Sequence, residues 1–197
     1  PCWQVKRIGQ PGLKQKWYSK EFAQETIALP GSMSENLKGD DITLETKFTG
    51  SIYDSSWYYN PAMEKYRRAG NLKMPFWLTP AKHYVGAAWY SREVVIPASL
   101  KGKHFRLFLE QPHFITQVWI NNIFIGSGNS LNTPHVFDLP SEIKPGKYRL
   151  TVRVDNSMKT IDVGANSTSV TDHTQGKSNG ITAKNELKAI QKVIFDH

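Results

Sequence analysis

Apolar and polar side chains alternate with a period of two along much of this chain, and each such run stops at turn-forming residues. Tyr148, Leu150, Val152 and Val154 interleave with Arg149, Thr151, Arg153 and Asp155, the pattern of a strand with one wet face. Phe105, Leu107 and Leu109 alternate with His104, Arg106 and Glu110, while Phe108 adds an apolar group to the second face. Ile42, Leu44, Thr46 and Phe48 repeat the pattern near the start. Val94-Val95-Ile96 ends a further β-branched run at Pro97, which cannot donate to a ladder.

The punctuation points the same way. Gln117-Val118-Trp119-Ile120 and Ile123-Phe124-Ile125-Gly126 are joined by Asn121-Asn122. Asn tolerates positive φ, so a two-residue hairpin is expected there. Lys144-Pro145-Gly146-Lys147 marks a turn into the strand at Tyr148. Short strands separated in this way predict an all-β fold, a β-sandwich. Helix is scarce: Asn60-Pro61 followed by Ala62, Met63, Glu64, Lys65 and Tyr66 has an N-cap residue and a proline at the first helical position. It predicts about two turns before Gly70. Residues 1–35 are less regular and read as an arm packed along the sandwich, which spans 36–197.

Composition excludes several classes. A chain of 197 residues with 39% hydrophobic residues, six Trp, eight Tyr and nine Phe is not disordered. No apolar run approaches the roughly 18 residues of a membrane helix, so no membrane partner is expected. Cys2 is the sole cysteine, which excludes an internal disulfide and a thiolate metal cluster. The formal charge of +8 is spread over Lys14 and Lys16, Arg67 and Arg68, Lys101 and Lys103, Arg149 and Arg153. Nucleic-acid binders concentrate such residues, so a solvated surface is expected and no nucleic-acid partner.

No cofactor is expected, because neither a phosphate loop nor a dinucleotide fingerprint occurs. His173 is flanked by Asp172 and Gln175, but no second histidine stands at ligand spacing, so no metal site is expected. His135 follows Pro134, where a ring that packs or bonds locally at a strand edge is expected. Glycoside hydrolysis needs two carboxyl groups about 5 to 10 Å apart, and nothing in the sequence pairs Glu110 or Asp162 with a partner. There is no Gly-x-Ser-x-Gly elbow. The chain is not expected to catalyse alone.

The order of several motifs resembles one family. Leu29-Pro30-Gly31-Ser32 is followed by Gly86 to Pro97 with its Trp89-Tyr90, then Lys101-Gly102-Lys103, Trp119-Ile120-Asn121 and Gly126. Phe137-Asp138, Pro145-Gly146, Val154-Asp155-Asn156, Gly180-Ile181 and Glu186-Leu187 complete the series. Together, over roughly 28–187, they resemble the N-terminal sugar-binding domain of family 2 glycoside hydrolases, which include β-galactosidases, β-glucuronidases and β-mannosidases.

The resemblance implies a jelly-roll sandwich like that of galactose-binding domains. It also implies a parent retaining β-glycosidase, β-galactosidase-like, whose two catalytic Glu lie on a later barrel domain. The implied partners are a terminal β-linked sugar and the remaining domains of that enzyme, with oligomerisation left open. The usual habits of such bacterial enzymes imply a periplasmic or secreted location.

In β-galactosidases of the family an Asn-x-x-x-Pro segment lends its Asn to the pocket, and Asn71-Leu72-Lys73-Met74-Pro75 matches that spacing. A carboxylate shortly before Gly-Ile reaches sugar hydroxyls, and Asp172 stands there. Both residue types suit vicinal hydroxyls. Read without the resemblance, Asn71 after Gly70 can cap a turn and Asp172 can close an Asx-turn. Lys73 and Trp77 depart from commoner forms, which leaves the exact sugar open. Trp57, Tyr58 and Tyr59 fall in a loop-like segment and offer a stacking platform for sugar, or a surface for a neighbouring domain; Trp89 and Trp119 read as core. A free-standing lectin-like module is the alternative function.

Overall fold

In the computed structural model the described residues are 3–7, 11–21, 25–44, 46, 59–73, 80–130, 133–157, 159–161, 168–170 and 179–190. The chain divides into two compact units, one of Pro1–Ser32, Gly86–Asn156 and Asn179–His197, the other of Met33–Val85 and Ser157–Ser178. In chain order the strands are β1 (Trp3–Arg7), β2 (Thr26–Ile27), β3 (Gly31–Ser32), β4 (Ala87–Ile96), β5 (His104–Leu109), β6 (Pro112–His113), β7 (Ile115–Ile120), β8 (Ile123–Asn129), β9 (His135–Asp138) and β10 (Gly146–Asp155). They continue as β11 (Lys159–Ile161), β12 (Thr168–Val170), β13 (Gly180–Ile181) and β14 (Asn185–Ile190). Among the described residues, β11 and β12, paired with each other, belong to the second unit.

All pairings are antiparallel. The first unit holds a sheet ordered β2-β1-β4-β10-β7-β8 and two smaller ones, β14-β5-β9 and β3-β13-β6. Register explains the core. Val5, Tyr90, Val152 and Val118 lie opposite one another across four strands, and each is at most 1% exposed. Trp3, Ile96 and Leu150 on that sheet line one cavity with Phe105, Leu107 and Leu187 of the β14-β5-β9 sheet. The two layers therefore face each other through the side chains that alternation assigns inward.

The opposite face of the large sheet differs from expectation. Thr151, Arg153 and Asp155 occupy the side of β10 that alternation predicts to be wet, yet they are 0%, 4% and 7% exposed. Two devices make this tolerable. Arg153 Nη2 donates to Asp155 Oδ2 at 2.6 Å and Nη1 to Gln117 Oε1 at 3.1 Å, so the buried charges are paired. Beside them Trp89 and Trp119 stack at 5.3 Å, and Tyr18 stacks on Trp119 at 5.3 Å. Leu13 and Trp17 complete that apolar cover.

The helical turn Pro11–Lys14 lies close on Trp89 because Gly12 has no side chain; a Cβ there would stand 2.5 Å from Trp89 Nε1. Within the stretch read as an arm, Trp3–Arg7 and Thr26–Ile27 are strands of the sheet itself, while Leu13, Trp17 and Tyr18 lie over its face.

The hairpin forms as expected: Ile120 pairs with Ile123, and Asn121 adopts φ 51°. Asn121 also clips the neighbouring strand, its Nδ-bearing side chain accepting through Oδ1 from Arg149 N at 2.9 Å while its own N donates to Arg149 O at 2.7 Å. In the second unit, Asn60 Oδ1 accepts from Ala62 N at 2.9 Å and starts a 3-10 helix over Pro61–Tyr66. The strand expected around Ile42 and Leu44 is not formed. Thr43 N donates to Thr46 Oγ1 at 2.9 Å and Thr46 N to Thr43 O at 3.1 Å, so one hydroxyl and one local turn claim backbone groups a ladder would need. Phe48 lies outside the described residues.

His135 is 4% exposed, with Thr116 Oγ1 2.6 Å from Nδ1 and Ser130 N donating to Nε2 at 3.0 Å. The ring fits because β8 offers Gly128, where a Cβ would stand 2.5 Å from Nδ1. Burial holds the imidazole below its ordinary pKa range, outweighing the opposing bond to Ser130. As pH falls, the unfolded chain therefore takes up the proton first. This contribution to stability is complete above the unfolded value of about 6.5 and declines below it. Denaturant unfolding between pH 7.5 and 5, each value approximate, should show His135→Asn losing less stability with acid than the wild type.

Candidate functional site

At one end of the large sheet the chain passes the same place three times, at Gly86, Asn156 and Asn179. These residues open or close the segments of the first unit, so the 157–178 segment leaves from Asn156 and returns at Asn179. Both Asn are 0% exposed, and a buried amide requires partners. Asn179 Oδ1 accepts from Tyr90 Oη at 2.6 Å, and its Nδ2 donates to Gly86 O at 2.8 Å and Val154 O at 3.0 Å. Nδ2 carries two hydrogens, so these carbonyls use both, and the 3.4 Å approach to Asn156 Oδ1 is at most a shared contact. Asn156 Oδ1 accepts from Gly86 N at 2.8 Å, and Asn156 N donates to Gly86 O at 3.3 Å.

The result is a closed clamp. Two amides and a phenol tie together Gly86, just before β4, and the Val154 carbonyl near the end of β10. Next to it Gly180 pairs with Ser32 and with His113, holding β13 between β3 and β6. The clamp joins the two residues, Asn156 and Asn179, between which residues 157–178 run in the chain. Asn156 closes the Val154-Asp155-Asn156 motif and Asn179 directly precedes Gly180-Ile181, and neither has a role assigned from the sequence. A signal was present: an Asn directly after a fully apolar-alternating strand has no solvent with which to satisfy its amide.

The expected site residues distribute as follows. Asn71 is exposed in the second unit; its Nδ2 donates to Lys65 O at 2.9 Å and its N to Arg68 O at 3.1 Å. It thus stitches the end of the Pro61–Tyr66 helix, the turn role open to it in the sequence. Lys73 N returns to Tyr66 O at 2.9 Å and closes the same turn. Tyr59 is 83% exposed. Trp57, Tyr58, Asp172, His173 and Trp77 lie outside the described residues. Among the described residues no group of three or more His, Cys, Asp or Glu is placed to hold a metal, and no helix is long and apolar enough to cross a membrane.

Comparison with known proteins agrees with this architecture. Residues 9–188 match the model of the glycosyl hydrolases family 2, sugar binding domain. Among solved structures, a β-glucuronidase of Ruminococcus gnavus superposes with a TM-score of 0.56 at 16% identity, over 92% of this chain and 26% of that one. A β-glucuronidase of an uncultured Clostridium sp. gives a TM-score of 0.57 at 18% identity, over 91% of this chain and 26% of its own. At these identities the likeness shows the fold, a β-sandwich, and this chain spans about a quarter of the length of those enzymes. With its motifs, its sandwich and a family match that runs almost from end to end, the chain belongs to glycosyl hydrolases family 2, as the sugar binding domain.

Proposed function

We propose that this chain is the non-catalytic sugar-binding part of a retaining β-glycosidase. In this reading it forms one wall of the pocket for a terminal β-linked sugar, and the two catalytic Glu lie on a barrel domain elsewhere in the parent protein. The observation that carries the proposal is the family match over residues 9–188. Asp172 supplies a carboxylate to vicinal sugar hydroxyls, on the segment that runs between Asn156 and Asn179. Asn71, whose Nδ2 is taken by Lys65 O, offers Oδ1 as an acceptor. The Asn71-Leu72-Lys73-Met74-Pro75 spacing favours a β-galactoside, whereas the superposed enzymes are β-glucuronidases. Assay of the parent enzyme on p-nitrophenyl β-galactoside and β-glucuronide separates the two.

Asp172→Ala in the parent enzyme should lower kcat/KM about 100-fold, the loss of two charge-assisted hydrogen bonds that strengthen at the transition state. The melting temperature should move by no more than about 2 °C, as expected of a residue that serves the ligand and not the fold. Parallel losses of activity and melting temperature would return Asp172 to a turn role.

The lectin-like alternative rests on Tyr59, whose side chain stands 83% exposed and which follows Trp57 and Tyr58 in the sequence. It expects quenching of tryptophan fluorescence by a free sugar, abolished in Tyr59→Ala.

A further inference from the structure

We infer that the gap between the two facing sheets of the first unit is a binding site for a monocarboxylate with an apolar body. A slot of about 450 Å³ lies there, within the range of about 300–1,000 Å³ usual for small-molecule sites. β1 pairs with β4 as far as Ser91, and the slot runs beyond that point along Arg92 to Pro97, with Asn185, Glu186 and Leu187 of β14 also lining it. Ile96, Phe105, Leu107, Leu150 and Leu187 give it apolar walls. It shares no residue with the sugar-binding proposal above.

Register puts a cation among these walls. Arg92 lies opposite Leu150 and alternates in phase with Tyr90 and Ile96, both buried, so it stands on the inward face of β4. Its guanidinium lies 6.0 Å from the Trp3 ring centre, and among the described residues it has no hydrogen bond and no carboxylate partner. Glu93 and Glu186 also line the slot, but alternation assigns them to the outward faces. There Lys147 holds Glu93 at 3.3 Å and Lys188 holds Glu186 at 3.1 Å. Arg92 cannot shed its proton, and a guanidinium on an inward face gains most from an anion that meets its fork with two oxygens.

Two further donors belong to the lining. Trp3 is 3% exposed, and its Nε1 is buried with no hydrogen-bond partner. Asn185 lies opposite Leu109, which is fully buried, so it too belongs to the inward face, and its Nδ2 is likewise buried and unpartnered. Both residues line the slot. Native structures rarely leave such donors without an acceptor. The polar groups left over are thus one cation and two N–H donors, and none has an acceptor. A ligand that suits them brings negative oxygens at one end, and the walls require the rest of it to be apolar. Inorganic phosphate has the charge without the body, and an alcohol has the body without the charge. A medium-chain or arylalkyl monocarboxylate has both.

Titration of the 197-residue chain with octanoate, followed by 1H–15N NMR, tests the site. The indole N–H signal of Trp3, recognised by its absence in Trp3→Phe, should shift saturably at millimolar octanoate, and downfield as it gains an acceptor. The side-chain amide of Asn185 should shift with it. Arg92→Gln should weaken binding about 30-fold, the loss of a charge-assisted pair. Asn185→Leu, which deletes an unpartnered Nδ2, should weaken binding about fivefold and leave the melting temperature unchanged or higher. It carries the test if Arg92→Gln fails to fold. Octan-1-ol and acetate, each with half of the ligand's chemistry, should bind at least roughly tenfold more weakly than octanoate. No saturable shift, binding unchanged in Arg92→Gln or in Asn185→Leu, or octan-1-ol or acetate matching octanoate would each overturn the proposal. None of these outcomes bears on Asp172, whose test is catalytic.

Discussion

Asn179→Asp should lower the melting temperature by about 10–15 °C at neutral pH, and Asn179→Ala by somewhat less. The argument runs through the clamp atom by atom. Nδ2 donates to the carbonyls of Gly86 and Val154, while Oδ1 accepts from Tyr90. Aspartate keeps the shape and loses both donors, setting a second oxygen against two carbonyl oxygens in a site with 0% exposure. An uncompensated buried charge costs about 3–5 kcal/mol, and for a domain of this size each kcal/mol moves the melting temperature by about 2–4 °C. Alanine removes three hydrogen bonds but adds no charge. Tyr90→Phe removes the bond to Asn179 and should cost about 1–2 kcal/mol. The Tyr90→Phe and Asn179→Ala effects should not add, because both delete the same 2.6 Å contact. Thermal unfolding of the three single variants and the double variant checks all of this. A wild-type melting temperature in Asn179→Asp would mean that the amide is not the clamp the distances describe.

What the sequence reveals of this fold divides by range. The strand at Tyr148 and the Asn121-Asn122 hairpin are written in neighbouring residues, and both form. The polar side of β10 reads as wet because nothing local says otherwise. Its cover, Leu13, Trp17 and Tyr18, comes from far earlier in the chain, and Arg153 is made safe by Gln117 and Asp155. The segment at Ile42 alternates correctly yet turns at Thr43, since alternation does not register a hydroxyl that bonds to backbone three residues away. The clamp is the plainest case. Asn179 finds Tyr90 at a separation of 89 residues and Gly86 at 93, distances at which periodicity carries no information. Resemblance could mark Asn156 and Asn179 as recurrent, but only the folded arrangement gives them work. For Asp172 the role is proposed from the resemblance alone, because the residue lies outside the described residues.

Gly180→Ala should be nearly as damaging as Asn179→Asp, for a reason that involves no hydrogen bond. Gly180 lies in β13 between β3 and β6, paired with Ser32 on one side and His113 on the other. A Cβ placed on it would run into Gly31 O and stand 2.7 Å from Ser32 Cα. Both atoms are backbone, so no rotamer change can clear them, and β13 cannot retreat without breaking its other pairing. Overpacking costs about 1–3 kcal/mol when side chains can yield, and here they cannot, so a loss of about 3 kcal/mol or more is expected, roughly 10 °C in melting temperature. Gly102→Ala provides the contrast, because a Cβ there meets nothing within 4 Å. Its φ of 79° leaves only backbone strain, worth about 1 kcal/mol. If Gly180→Ala melts within a degree or two of Gly102→Ala, the close approach of β3 and β13 does not hold in solution. If the gap is as large as expected, the Gly-Ile pair is fixed by sterics: the residue after the clamp has to be the one with no side chain, because the strand beneath it leaves no room for another.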